Sequence, residues 1–134
     1  MAADRIRRTL AEDRGSAPVE FVLVGMLLTF LALAVLQLAL SLHVRNTVLD
    51  AAAEGARFGA LADNEPRHAV ARTAELIATA VGPDFADDIE ARTTSWMGAS
   101  AVVVTVRTTL PLVGLLGPDR ALEVEGHAAS EALE

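Results

Sequence analysis

The chain has 134 residues, 52% of them hydrophobic, with no cysteine and no tyrosine; its 11 basic residues are all Arg against 18 acids, for a net charge of -7. That length bounds the chain at one modest domain, and the missing cysteines exclude a disulfide framework, a thiolate metal site and a Cys nucleophile. The acidic balance argues against a nucleic-acid partner, and 4% aromatic residues points to long helices around a thin core, with no aromatic-lined pocket for a small-molecule substrate.

Residues 1–15 form a leader carrying Arg5, Arg7, Arg8 and Arg14. Phe21 to Leu42 follows as 22 residues without a charge, whose only polar members are Thr29, Gln37 and Ser41. As a helix this run is about 33 Å long, enough to cross a hydrocarbon core of about 30 Å. It is too long for the apolar core of a secretory signal peptide, so it reads as a membrane helix that is kept. The expected organisation is a cytoplasmic leader at 1–15, a transmembrane helix at 16–42 and an extracytoplasmic domain at 43–134. Arginine placement sets that orientation, with the N-terminus in the cytoplasm and the cytoplasmic membrane as the anchor. From His43 onward there are 7 Arg and 14 acids, so the exported part carries the whole net charge of -7.

Glu20 is the odd residue at the edge of the apolar run, in Gly15-Ser16-Ala17-Pro18-Val19-Glu20-Phe21. One reading is an interfacial carboxylate at a helix start, favoured by the helix dipole, with Pro18 in the first turn and Ser16 as a cap. The other takes in the surrounding pattern. A basic leader, Gly15, four residues, Glu20 and an unbroken apolar helix resemble the type IV prepilin signal. That resemblance implies cleavage between Gly15 and Ser16 by a prepilin peptidase on the cytoplasmic side, with the apolar helix retained. The new ammonium of Ser16 on one subunit then pairs with Glu20 of a neighbour. A carboxylate in an apolar bundle needs such a partner, and the pairing registers the subunits.

Beyond the span, Val44, Val48, Ala51, Gly55, Phe58 and Ala62 form one helical stripe, while Asn46, Asp50, Glu54 and Arg57 lie off it. The spacing predicts one rod from about Pro18 to Leu61, about 66 Å long, with Glu54 and Arg57 paired three residues apart. The stripe packs on the protein's own strands or forms a self-assembly face, and the first is the favoured reading. Asn46, Ala51, Ala52, Glu54, Gly55, Ala56, Arg57 and Phe58 spell an "N…AA-x-EGAR-aromatic" segment that resembles TadE-like proteins. Arg14, Gly15, Val19, Glu20 and Phe21 match the RG-xxx-VEF signature of the same family. The resemblance covers roughly residues 14–60. It implies a minor-pilin-like component of a tight-adherence (Tad, Flp-type) pilus system and a pilin-like helix-plus-sheet layout.

Asp63-Asn64-Glu65-Pro66 breaks the rod, and a second helix is expected at about 66–81, with Val70, Ala74, Ile77 and Val81 inward and Gly82-Pro83 as its stop. Asp84-Phe85-Ala86-Asp87-Asp88 reads as a solvated acidic loop, because Asp84, Asp87, Asp88 and Glu90 miss calcium-loop spacing. Ile89–Ser95 and Ala101–Thr108 are strands joined across Trp96–Ser100, and Ala121–Ala129 alternates as a third strand. Pro111–Pro118 is an apolar, Pro/Gly-punctuated connection. Its Leu112, Val113, Leu115 and Leu116 are read first as core, with a partner or membrane-surface patch as the alternative. The expected fold class is therefore α+β: a long N-terminal membrane helix continuing outward, a short second helix and a small antiparallel sheet.

His43, His68 and His127 show no ligand spacing, and no phosphate loop, GxSxG elbow or HExxH stands in the chain. No enzyme, catalytic residue, metal or cofactor is expected. The favoured function is a non-enzymatic minor pilin or pseudopilin acting through subunit contacts. Its expected partners are the membrane, other pilins and pseudopilins, the pilus assembly machinery and a prepilin peptidase. It is expected either to enter a surface pilus or to stay at its base. The alternative is a generic single-pass anchor presenting a small extracytoplasmic binding domain, uncleaved and not assembled.

Overall fold

A computed structural model describes the backbone of residues 2–114 and 116–130 and the side chains from Ser16 onward within those ranges. Leu115 and the side chains of the arginine leader lie outside the described residues. The elements are helix α1 (Ala2–Gly59), helix α2 (Pro66–Ala80), a 3₁₀ turn (Pro83–Phe85) and strands β1 (Asp88–Trp96), β2 (Ala99–Thr108) and β3 (Leu122–Ala129). This is an α+β arrangement with one three-stranded antiparallel sheet in the order β1-β2-β3. The chain divides into two units, residues 1–36 and residues 37–134.

The first unit is helix throughout its described length. Leu, Ala and Met, which lose little freedom in a helix, make up most of the run. α1 starts well before the expected first turn, so Pro18 lies inside it and Ser16 is not its cap. Pro18 brings no N–H to the ladder at the carbonyl of Arg14. At Gly25 the hydroxyl of Thr29 donates to the Gly25 carbonyl at 2.8 Å, which satisfies that side chain inside its own helix.

In the second unit α1 buries Val44, Val48, Ala51, Ala52, Gly55, Ala56 and Gly59, and Ala60 just beyond it is buried too. Phe58 and Ala62, expected on this stripe, are both exposed. Backbone approach is the reason. A Cβ on Gly55 would overlap the hydroxyl of Thr73, and one on Gly59 would lie 2.6 Å from the Cβ of Ala69. The crossing with α2 therefore selects the glycine positions over the aromatic one. α2 turns the matching small face inward and buries Ala69, Thr73 and Ile77. The expected Val70 and Ala74 are half-buried at its margin, and Val81 is the C-cap residue. At the other end of α2, Pro66 occupies the first turn and His68 Nδ1 accepts the Glu65 N–H at 3.0 Å.

β1 and β2 join through a two-residue turn at Met97-Gly98, tighter than the expected five-residue connection. Both turn residues have positive φ, 51° at Met97 and 86° at Gly98, as a primed hairpin turn requires. Val102, Val104 and Val106 of β2 pack with Val124 and Leu122 of β3 and with the α1 and α2 stripes in one core. Phe85 belongs to that core and is 5% exposed, so the segment read as a solvated acidic loop carries an anchor. Val103 and Thr105 on the opposite face of β2 are also buried, between the side chains of the flanking strands.

Candidate functional site

Every described residue from Ser16 to Leu36 is exposed, and apart from Ser16, Glu20 and Thr29 the run has no polar side chain. Phe21 is 81% exposed. A helix apolar on all sides has no amphipathic solution in water; it needs lipid or other helices around it. Glu20 and Ser16 are four residues apart on this helix and so share a face.

The motif residues further along α1 divide by role. Ala51, Ala52, Gly55 and Ala56 are buried and set how closely α2 and β3 approach, whereas Asn46, Glu54, Arg57 and Phe58 are exposed. Glu54 and Arg57 pair at 3.6 Å, as their spacing predicts. Glu54 and Phe58, with His68, Ala71, Arg72 and Glu75, line a shallow groove of about 350 Å³.

Two polar residues of the apolar run have a use that their isolation in the sequence did not disclose. Gln37 Nε2 donates to the carbonyls of Pro111 at 2.7 Å and Gly114 at 3.3 Å, and its Oε1 accepts the Gly114 N–H at 3.0 Å. Ser41 Oγ donates to the same Pro111 carbonyl at 2.5 Å. The available signal was their spacing, since residues four apart lie on one helix face. Pro111 is buried, but Leu112, Val113 and Leu116, expected in the core, do not enter it. Leu112, Val113 and Leu116 are 50%, 74% and 76% exposed.

The outer face of the sheet carries the charge. Arg107 reaches Glu123 at 2.8 Å, Glu90 at 3.2 Å and Asp88 at 3.8 Å, and Arg120 reaches Asp88 at 3.1 Å. The hydrogen bonds that the Arg107 guanidinium donates to Glu123 and Glu90 hold it above its ordinary value. Glu125 is held below the ordinary carboxylate value, first by the Thr105 hydroxyl and then by Arg92, which reaches it at 3.2 Å. Asp88 is thus a strand residue engaged by two arginines, while Asp84 and Asp87 are exposed. Among the described residues no group of three His, Asp or Glu side chains is placed to hold a metal ion.

An exposed apolar helix long enough to cross a bilayer, in a chain whose other unit packs its own α+β core, defines a membrane-anchored protein with one candidate span among the described residues. Residues 15–57, from Gly15 through Arg57, match the family model of TadE-like proteins and are similar to them over that segment. No curated protein and no solved structure matches the chain.

Proposed function

We propose that this chain is a non-enzymatic minor pilin or pseudopilin of a tight-adherence pilus assembly system. The observation that carries the reading is a coincidence of extents. The TadE-like match over residues 15–57 falls on helix Ser16–Gly59, which carries the exposed apolar run. The N-terminus faces the cytoplasm, prepilin peptidase cuts between Gly15 and Ser16, and the apolar helix stores the subunit in the membrane before it packs against other pilins. Glu20 pairs with the new Ser16 amine of a neighbouring subunit, because a carboxylate among apolar helices requires a cationic partner. Val19 and Phe21 flank it in the packing face. The extracytoplasmic domain, residues 43–134, presents Asn46, Glu54, Arg57 and Phe58 to assembly partners, while Ala51, Ala52, Gly55 and Ala56 hold their helix in place.

The test is the intact mass and N-terminal sequence of the protein extracted from its native membrane, combined with Glu20→Ala. A start at Ser16, with assembly impaired by Glu20→Ala while insertion and folding persist, is the expected result. A chain beginning at Met1 or Ala2 whose assembly is indifferent to Glu20→Ala would sink the pilin reading.

A further inference from the structure

We propose that the Pro111–Pro118 connection is a second membrane contact: an apolar loop inserted into the outer-leaflet hydrocarbon beside α1. The inference rests on the reading of Phe21–Leu42 as a membrane span. Along that span Gln37 lies five residues before Leu42, about 7.5 Å inside the end of the apolar run, and Ser41 about 1.5 Å inside it. The side chains that hold the loop are therefore at hydrocarbon depth. Both of them grip its backbone through Pro111, and Gln37 also grips Gly114 in both directions.

Three features fit lipid better than water or protein. First, residues 110–118 contain no charged side chain, and Leu112, Val113 and Leu116 point outward at 50–76% exposure. Second, the N–H groups of Leu110, Leu112, Val113, Gly114 and Leu116 are all engaged, which lowers the cost of taking this backbone out of water. Leu112 and Val113 N–H both donate to the Leu116 carbonyl at 2.9 Å, Leu116 N–H donates to the Val113 carbonyl at 3.0 Å, and Leu110 N–H donates to Pro118 at 3.4 Å. Gly114 supplies the positive φ of 60° that this turn demands, and the two prolines have no N–H to satisfy. Third, polarity returns at the base of the loop, where the Thr109 hydroxyl donates to Asp119 at 3.4 Å. In the membrane Gln37 is thus a bracket whose amide neutralises peptide groups that would otherwise face lipid.

The chain has no cysteine, so single Cys variants accept a spin label at one site. The full-length protein is labelled at Val113→Cys, Leu116→Cys, Leu31→Cys in mid-span and Met97→Cys at the strand turn. Each is reconstituted at high lipid excess in vesicles of phosphatidylethanolamine and phosphatidylglycerol. Collision with oxygen is compared with collision with a water-soluble nickel chelate. The expected result is oxygen-dominated collision at 113 and 116 as at 31, and nickel-dominated collision at 97. In a Gln37→Leu background, label 113 should shift toward the nickel chelate while label 31 stays in lipid. A watery label at 113 with a lipid-exposed label at 31 overturns the loop proposal and leaves the span. Watery labels at both positions overturn the span reading as well. A label at 113 shielded from both reagents would mean that protein covers the loop, which also overturns the lipid assignment.

Discussion

Gly126 of β3 meets the main chain of α1 at Ala52. A Cβ at position 126 would overlap the Ala52 carbonyl group and the Ala53 nitrogen, so the strand and helix touch backbone to backbone. Neither side can yield as a flexible side chain would. Gly126→Ala is expected to destabilise the folded unit by about 2–3 kcal/mol, the upper range for overpacking a well-filled core. Denaturant titration of the detergent-solubilised protein measures it, and a midpoint unchanged from wild type would refute the close approach.

The crossing of α1 and α2 is tight for a related reason but has an adjustable partner. A methyl on Gly55 would overlap the Thr73 hydroxyl and lie 2.9 Å from the Ala69 carbonyl. Gly55→Ala should therefore cost roughly 2 kcal/mol. Thr73 itself donates only a long hydrogen bond to the Ala51 carbonyl, at 3.4 Å, so Thr73→Ala removes the obstruction at modest loss. The double variant should be more stable than Gly55→Ala alone, a non-additivity that a double-mutant cycle reads directly. Additive losses would mean that the hydroxyl is not what the methyl strikes.

At the β1–β2 turn, Met97 is 94% exposed and holds a φ of 51°, which a residue with a long side chain adopts at a cost. Asn tolerates this region far better and is a preferred residue at the first position of such turns. Met97→Asn is expected to stabilise the unit by about 0.5–1 kcal/mol, and Gly98→Ala, at a φ of 86°, to destabilise it by about 1 kcal/mol. Thermal melts of the two variants should move in opposite directions; parallel shifts would contradict the turn geometry.

How far the sequence could be read follows from what its periodicities encode. The uncharged run from Phe21, the breaker at Pro66 and the alternation of Val102, Val104 and Val106 each express one dominant force, and the corresponding elements formed. Val44, Val48, Ala51, Gly55 and Ile77 are buried as their spacing predicts, but the stripes were misplaced by about a residue at Phe58 and Val70, which hydrophobicity favours. The interface instead selects Gly59 and Ala69 for closeness, which a hydrophobic pattern does not record. Phe85 was masked by its acidic neighbours. The bracket of Gln37 and Ser41 on Pro111 was invisible for a topological reason, since 70 or more residues separate the partners and no local rule links them.

The ion-pair face of the sheet predicts an acid response centred on Glu125. Its folded-state value lies below the ordinary carboxylate value, chiefly through the Thr105 hydroxyl at 3.0 Å and secondly through Arg92. His127 on the same strand, 3.7 Å away, adds a smaller attraction when protonated. A carboxylate with a lowered folded value binds its proton more readily in the unfolded chain. Its stabilising contribution is therefore complete above the ordinary carboxylate range and is lost as pH falls through the lowered value. Both partners are partly exposed, so solvent screening keeps this contribution small. Glu125→Gln should flatten the decline of the melting temperature from about pH 7 to about pH 3. An acid limb as steep in Glu125→Gln as in wild type would show that Thr105 and Arg92 do not hold this carboxylate in solution.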